Sequence, residues 1–174
     1  YYFGQRESLE SVIFIFEKKK VRNSGDLLKF DSWGLSNNFL KDNWLRLVLK
    51  QATGTGKTKV LMLIIAWSYF HKKFEENSEL SKNFLLIDPN TIVLDRLRND
   101  IEGLKVFNTD PIIPPNGYEG KDWVFTPTVH IQDEINSITD EGNIFLTNIQ
   151  RFARRNSEDD HKDLSNYFLG ARPV

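Results

Sequence analysis

The residues with the clearest capacity for chemistry form one short stretch, residues 51–58, with the sequence QATGTGKT. It lies between two apolar runs, Trp44 to Leu49 and Val60 to Phe70. An order of strand, glycine loop and helix is what a phosphate-binding P-loop requires. Gly54 and Gly56 have no Cβ, so the backbone can turn tightly and bring its N–H groups to phosphate oxygens. The sequence therefore predicts a nucleotide site here, and a chance Gly/Thr loop is the alternative.

The polar side chains of this stretch have separate predicted roles. Lys57 reaches the β- and γ-phosphates, and the Thr58 hydroxyl is a ligand of Mg²⁺, so both are assigned to catalysis. The usual pattern has Gly or Ala at the first position, where this chain has Gln51. The residues of the stretch that we assign to nucleotide binding are Thr53, Gly54, Thr55, Gly56, Lys57 and Thr58.

The composition is that of a folded domain without a strong charge. The 174 residues are 40% hydrophobic, include 13 Phe and no Cys, and carry a net charge of −1. This length predicts one domain with a sizeable core. Because the net charge is near zero, any contact with nucleic acid must come from local patches. The absence of cysteine excludes a disulfide framework and fits a reducing cytoplasm, and no apolar run reaches the ~18 residues of a membrane span.

Hydrophobic periodicity predicts the elements that position the loop. We expect a helix from Glu7 to Lys20, a strand from Trp44 to Lys50 entering the loop, and a helix from Lys57 to Phe74 leaving it. The segment Val21 to Asn43 mixes polar and aromatic residues and is expected to be a packed insertion.

Strands and helices alternate in the second half of the chain. Pro89 opens a turn into an amphipathic helix that Asn90 or Thr91 caps. Pro127 demotes part of its strand to an edge or a bend. Alternation of this kind predicts an α/β fold with a parallel sheet and helices on both faces. The strands are predicted at Phe84–Asp88, Leu104–Phe107, Trp123–Gln132 and Asn143–Thr147.

The order of four segments, Gln5-Arg6, QATGTGKT, LLIDPNTIVLDRL and IFLTNIQRF, resembles a known family. It is similar to the first RecA-like motor domain of superfamily 2 helicases and translocases, and most of all to the motor (Res) subunit of type III restriction enzymes. A bulky residue before ATGTGKT is familiar in that branch. The resemblance covers nearly the whole chain except residues 21–43 and 109–122. It implies one N-terminal RecA-like motor domain over residues 1–174 that uses ATP and Mg²⁺.

The resemblance also implies a role for Gln5, at the position of the glutamine that reads the adenine edge. An amide can accept from the N6 amino group of adenine while it donates to N7, which explains the residue type. An ordinary surface glutamine at the start of a helix is the alternative.

Two further segments match motifs that touch the nucleic-acid backbone in the family. The turn into the helix at residues 89–91 is a reasonable phosphate contact, because a helix N-terminus with a hydroxyl attracts anions. The strand end at residues 147–148 is similar, with an arginine one helical turn later. Plain turns and caps are the alternatives. The residues predicted to contact nucleic acid are Pro89, Asn90, Thr91, Thr147, Asn148 and Arg151.

The Asp-Glu-x-His motif that the family needs has no convincing copy in this sequence. Asp133-Glu134 follows a run that alternates like a half-exposed strand, and Asp159-Asp160-His161 has no apolar strand before it. Asp88 ends an apolar strand and is the magnesium carboxylate if the chain is another kind of P-loop protein. We therefore expect a piece of a longer protein that ends upstream of the motif. Alone, it should bind adenine nucleotide weakly and not hydrolyse it.

Other groups of polar residues give weaker evidence for a functional site. Asp110 with Glu119 and Lys121 imitates a nuclease site, but the Pro-rich loop around it lacks the strands such a site needs. No Asn-Lys-x-Asp motif reads guanine, so ATP is preferred over GTP. The histidines show no metal-ligand spacing, and they are His71, His130 and His161.

The sequence thus predicts the ATP-binding domain of an ATP-dependent DNA translocase or helicase of a restriction system, in the cytoplasm. The expected partners are double-stranded DNA bound by the intact protein, a second RecA-like domain with arginine fingers, and a modification or specificity subunit, with no membrane. One alternative is a P-loop ATPase or kinase that does not act on nucleic acid. The other is a nucleotide-binding module without turnover.

Overall fold

The structure is a computed structural model that describes residues 1–23, 25–26, 44–109, 112–131 and 137–152. The chain divides into two compact units, and the boundary lies inside a helix. The units are Tyr1–Ile64 and Ile65–Val174.

The first unit begins with an α-helix that continues into a wider π-helical turn. Helix α1 spans Phe3–Ile13, and a π-helical turn follows at Phe14–Lys18. Gln5 and Val12 are the buried residues of α1. The predicted helix from Glu7 to Lys20 is confirmed, although it starts one turn earlier than its apolar pattern.

The long central helix, α2, spans Lys57–Phe74, as predicted. Val60 and Met62 are buried in its first turns, and Ile65, Tyr69 and Phe70 are buried in the second unit. A helix that is apolar on most of its surface is expected to be buried, and this one is.

The second unit contains a three-stranded, fully parallel sheet. Its strands are β1 (Asn83–Asp88), β2 (Thr128–Ile131) and β3 (Asn143–Asn148), and their order is β1-β3-β2. The central strand β3 is the most buried, with Ile144 and Leu146 at 0% and 1% exposure. Both faces of a central parallel strand are covered, which explains its nearly continuous apolar sequence. The predicted α/β fold with a parallel sheet is confirmed.

A helix follows strand β1, as the sequence predicts. Helix α3 spans Thr91–Ile101 and buries Leu94, Leu97 and Ile101, which recur at helical spacing. Strand β2 begins immediately after Pro127 and lies at an edge of the described sheet, which confirms the effect predicted for that proline. A 3₁₀ turn, Ile149–Phe152, follows β3.

The amino ends of the strands carry a hydrogen-bonded cluster that we call the amino-end network: Asn83, His130, Thr139 and Asn143. The Asn143 amide donates to Asn83 Oδ1 at 2.8 Å and to the Thr139 carbonyl at 2.9 Å. Its Oδ1 accepts from the Thr139 backbone N–H at 3.1 Å and lies 2.9 Å from His130 Nε2, which must therefore carry the proton. All four hydrogen-bonding positions of this buried amide are filled, so the network stabilises the register of β1, β2 and β3.

Two predicted strands are wrong. Residues Trp44–Lys50 pair with none of the described strands, and Val48 is 89% exposed. An apolar run becomes a strand only where a neighbour accepts its backbone hydrogen bonds and covers one face, and the described residues supply neither. Leu104–Phe107 is also not a strand. It belongs to a 3₁₀ turn, Glu102–Leu104, and a short helix α4, Lys105–Asn108, because so short an apolar run does not distinguish a strand from a helical turn.

Candidate nucleotide site and the carboxyl edge of the sheet

The nucleotide loop, residues 51–58, has the backbone of an anion cradle. Gly54 and Gly56 both have φ = +81°, a left-handed conformation that side chains disfavour. The Thr55 hydroxyl donates to the Ala52 carbonyl at 2.8 Å and closes the turn. Among the described residues, none accepts a hydrogen bond from the backbone N–H of Gly54, Thr55 or Gly56. The loop therefore presents a row of donors that an anion can bind.

Lys57 is the first residue of α2, and its ammonium folds back over the loop. Its Nζ donates to the carbonyls of Gln51 and Ala52, at 3.4 and 3.1 Å. Neutral carbonyls hold an ammonium less strongly than phosphate oxygens do, so these bonds exchange readily for a phosphate. Thr58 is half-buried in the first turn of α2. Amides, an ammonium and a hydroxyl at a helix N-terminus fit a nucleotide phosphate with its Mg²⁺.

Gln5 lies against the same loop. Its Nε2 donates to the Thr55 carbonyl at 3.0 Å, and its Oε1 accepts from the Tyr2 backbone N–H at 3.2 Å. A primary amide has two N–H donors and two lone pairs on its oxygen, so one of each remains. The remaining N–H donor matches N7 of adenine, and the remaining lone pair matches its N6 amino group. A Cβ added to Gly56 would lie 2.3 Å from Gln5 Nε2, so the two residues are in close contact.

The contacts of Gln51 were not predicted. Its Nε2 lies 2.6 Å from Ser8 Oγ and 3.3 Å from the Gly4 carbonyl, both in α1. The only signal in the sequence was a glutamine at a position that usually holds Gly or Ala.

The carboxyl edge of the sheet brings together Asp88 and Asn148, which are register partners in β1 and β3. Asp88 Oδ1 accepts from the Asn90 backbone N–H at 2.7 Å, and Asn148 Oδ1 accepts from the Gln150 backbone N–H at 2.7 Å. Each side chain thus closes the turn that follows its own strand. This contact gives the buried Asp88 carboxylate a hydrogen-bond donor.

The N-terminus of α3 lies at this edge. Asn90 caps it, since its Oδ1 accepts from the Ile92 backbone N–H at 2.9 Å. Asn148 Nδ2 is buried and has no hydrogen-bond acceptor among the described residues. Because Oδ1 is committed to Gln150, the free atom is the donor. Pro89 and Asn90 are exposed and Thr147 is half-buried, while the side chain of Thr91 is outside the described part.

Several predicted candidates cannot be placed in the structure. The Arg151 backbone lies in the 3₁₀ turn, but its side chain is outside the described residues. The Val21–Asn43 insertion lies outside them from residue 27 onward. The acidic candidates that also lie outside them are Asp110, Asp133, Glu134, Asp159 and Asp160, together with His161.

The two described histidines, His71 and His130, contact neighbouring side chains of the fold. His130 is 1% exposed and stacks on Phe145, with ring centroids 4.5 Å apart. His71 Nδ1 lies 2.7 Å from Ser78 Oγ. In the described part of the chain, no three His, Asp or Glu side chains are grouped closely enough to hold a metal ion.

Close to Gln5, the Arg6 guanidinium hydrogen-bonds the Glu10 carboxylate at 2.6 Å, and this bond raises the pKa of Arg6 above its ordinary value. Both side chains are exposed, so solvent screens the pair. Among the described helices, none is both long and apolar enough to cross a bilayer.

Comparison with known families finds a match over most of the chain. The family described as "Type III restriction enzyme, res subunit" matches residues 4–170, which is nearly the whole chain and includes both the nucleotide loop and the carboxyl edge of the sheet. Separate comparisons with curated proteins and with solved structures find no match.

Proposed function

The chain belongs to the family of type III restriction enzyme res subunits, and on this premise we propose that it is the ATP-binding part of a DNA translocase or helicase of a restriction system. Membership of this family indicates a helicase-like domain of a restriction motor.

The observation that supports it best is the geometry of the nucleotide loop. Two glycines have φ = +81°, and the backbone donors around them have no acceptor in the described part of the chain. A lysine follows at the first residue of an 18-residue helix. Lys57 binds the terminal phosphates, and the Thr58 hydroxyl is a ligand of Mg²⁺. The helix N-terminus adds a favourable potential for the same anion.

Gln5 gives the site its base preference in this proposal. Adenine offers a donor and an acceptor that match the free lone pair and the free N–H of the Gln5 amide. Guanine offers an O6 acceptor where adenine has a donor, so the second lone pair of the Gln5 oxygen faces another acceptor. A buried polar atom left without a partner weakens binding, so ATP is preferred over GTP.

Hydrolysis of ATP needs carboxylates that hold Mg²⁺ and orient water, in addition to the nucleotide loop. Family members use an Asp-Glu-x-His motif, which these 174 residues do not contain. We therefore propose that this chain binds ATP–Mg²⁺ but releases phosphate slowly. Loss of an arginine finger alone costs about 10³-fold or more in rate, and loss of the water-orienting group adds to that.

DNA binding is assigned to the carboxyl edge of the sheet. Three donors are of the kind that contact phosphates: the N-terminus of α3, the Thr147 hydroxyl, and Asn148 Nδ2, which has no acceptor among the described residues. Such contacts do not read bases, so affinity is expected to be weak, salt-dependent and insensitive to sequence. Double-stranded DNA, a second RecA-like domain and a modification or specificity subunit are the proposed partners. The lack of cysteine is consistent with the cytoplasm as the proposed location.

Calorimetric titration of ATP–Mg²⁺ into the chain tests the proposal. Lys57→Ala removes the charge that binds the terminal phosphates and should abolish measurable binding. Lys59→Ala is the matched control, because it removes a lysine two residues later whose ammonium lies over the Tyr1 ring. Equal loss in both variants, or binding unchanged in Lys57→Ala, contradicts a P-loop function.

A phosphate-release assay on the same samples tests turnover. Rates normal for a motor would show that a carboxylate of this chain completes the site, and Asp88→Asn would then be the first variant to examine.

A further inference from the structure

P-loop chemistry does not explain Gln51. The pattern has Gly or Ala at this position, whereas this chain has a long polar side chain there. The Gln51 side chain reaches α1. There its Nε2 lies 2.6 Å from Ser8 Oγ and 3.3 Å from the Gly4 carbonyl. These contacts join segments 43 and 47 residues apart in sequence.

The directions of these hydrogen bonds are fixed by chemistry. Ser8 Oγ donates its single proton to the Gly4 carbonyl at 2.7 Å, so it must accept from Gln51. The Gly4 carbonyl can only accept. Both partners therefore require a donor at position 51, which explains an amide rather than a carboxylate or an aliphatic side chain.

A second contact joins the same two elements at the other end of the loop. Gln5 Nε2 donates to the Thr55 carbonyl at 3.0 Å. Gln5 and Ser8 are three residues apart and share one face of α1. The helix is thus attached to the nucleotide loop at two points, by Gln51 at the start of the loop and by Thr55 near its end.

The position of the Gln5 amide depends on how α1 is held. A Cβ on Gly56 would lie only 2.3 Å from Gln5 Nε2, so there is little room for this amide to shift toward the loop. Movement in the opposite direction is limited by the bonds of Gln51 to Ser8 and Gly4. Without them, the Gln5 amide keeps its bonds to Thr55 and to the Tyr2 backbone N–H, but of these contacts only the Thr55 bond still joins α1 to the loop. The helix, and the amide with it, is then freer to shift away from the loop.

We propose that Gln51 is a positioning residue that holds α1 against the nucleotide loop, so that Gln5 presents its free donor and acceptor to adenine. The inference rests on the proposed function, because it assumes that Gln5 reads the base. Gln51 itself contacts neither base nor phosphate in this account. Its effect is therefore on base selectivity, not on phosphate binding.

The test measures dissociation constants for ATP–Mg²⁺ and GTP–Mg²⁺ by calorimetry on the 174-residue chain. Gln51→Leu keeps the size of the side chain and removes the donor. It should lower the preference for ATP over GTP by about 3- to 10-fold, the size expected for about one net hydrogen bond. The affinity for inorganic tripolyphosphate–Mg²⁺ should be unchanged, which a general loss of structure would not leave intact.

Ser8 variants test the same contact from the helix. Ser8→Ala removes the acceptor and should lower the preference in the same direction, while Ser8→Thr keeps the hydroxyl and should retain it. Ser11→Ala changes an exposed serine of the same helix and is the matched control. If Gln51→Leu does not fold, Ser8→Ala carries the test.

A double-mutant cycle decides whether Gln51 acts through Gln5. In a Gln5→Ala background, Gln51→Leu should produce no further change in the ATP/GTP ratio. Additive effects would overturn the inference, and so would an unchanged ratio in both Gln51→Leu and Ser8→Ala. If the wild-type chain shows no preference for ATP, or Gln5→Ala leaves it intact, the proposed base reading fails and the inference fails with it.

Discussion

The nucleotide loop and the amino-end network both concentrate polar groups, but they satisfy them differently. In the network, the Asn143 amide fills all four of its hydrogen-bonding positions and is 1% exposed. In the loop, most residues are exposed, backbone donors have no acceptor among the described residues, and Lys57 contacts neutral carbonyls. Saturated, buried polar groups stabilise a fold, whereas unsaturated, exposed ones are free to bind a ligand.

The largest effect is expected from breaking the network. Asn143→Asp replaces two donors by lone pairs that face the Asn83 side-chain oxygen and the Thr139 carbonyl. The free energy of unfolding should fall by about 2–4 kcal/mol, because buried polar groups lose their partners. Urea denaturation measures it, and Asn99→Asp, an exposed change of equal charge on α3, is the control. A stability equal to that of the control would contradict the structural role.

The two loop glycines, Gly54 and Gly56, have the same φ but different surroundings. Gly56→Ala combines a positive φ with a contact at 2.3 Å, whereas Gly54→Ala has the same φ and no neighbouring atom within 4 Å. Both carry backbone strain of about 1–2 kcal/mol. Gly56→Ala alone displaces Gln5, so it should lower the thermal unfolding midpoint of the ligand-free chain further. Equal midpoints for the two variants would show that the Gln5 side chain can move aside without a loss of stability.

A smaller effect is expected at the carboxyl edge of the sheet. Asn148→Ser keeps an oxygen for the Gln150 N–H and removes the buried amide donor that has no partner. Affinity for labelled duplex DNA at low salt should fall about 3- to 10-fold, as for one lost phosphate contact, with stability nearly unchanged. Fluorescence anisotropy measures it, with Asn99→Ser as the control. If both variants bind DNA as the wild type does, the amide is not a DNA contact.

The smallest effect is expected at Arg6, whose ion pair with Glu10 is exposed at 2.6 Å. Arg6→Ala should leave both the unfolding midpoint and ATP affinity unchanged within error, because solvent screens such pairs. A loss of affinity comparable to that of Gln5→Ala would instead place Arg6 in the nucleotide site.

Periodicity and loop chemistry predicted much of this structure. Lys57–Phe74 was predicted to the residue, because a glycine loop marks its start and a continuous apolar pattern its length. The strands Asn83–Asp88 and Asn143–Asn148 were predicted within one residue at either end. The strand predicted at Trp44–Lys50 is absent from the described sheet, because strand pairing depends on a neighbouring strand that no local pattern reveals.

Contacts between distant segments were the part that sequence reasoning missed. The bonds from Gln51 to Ser8 and from Gln5 to Thr55 each span more than 40 residues. A polar residue type shows that a hydrogen bond is possible, but its partner depends on tertiary packing. The same holds for His130, whose stacking on Phe145 and bond to Asn143 follow from strand register.

Amide hydrogen exchange with and without saturating ATP–Mg²⁺ tests the contrast between the two regions most directly. We expect slower exchange in peptides that cover residues 51–58 and the first turns of α1, and unchanged exchange at the amino ends of β2 and β3. Lys57→Ala should remove the protection. Protection centred on Thr128–Ile131 or Asn143, with none at the loop, would contradict the assignment of the nucleotide site.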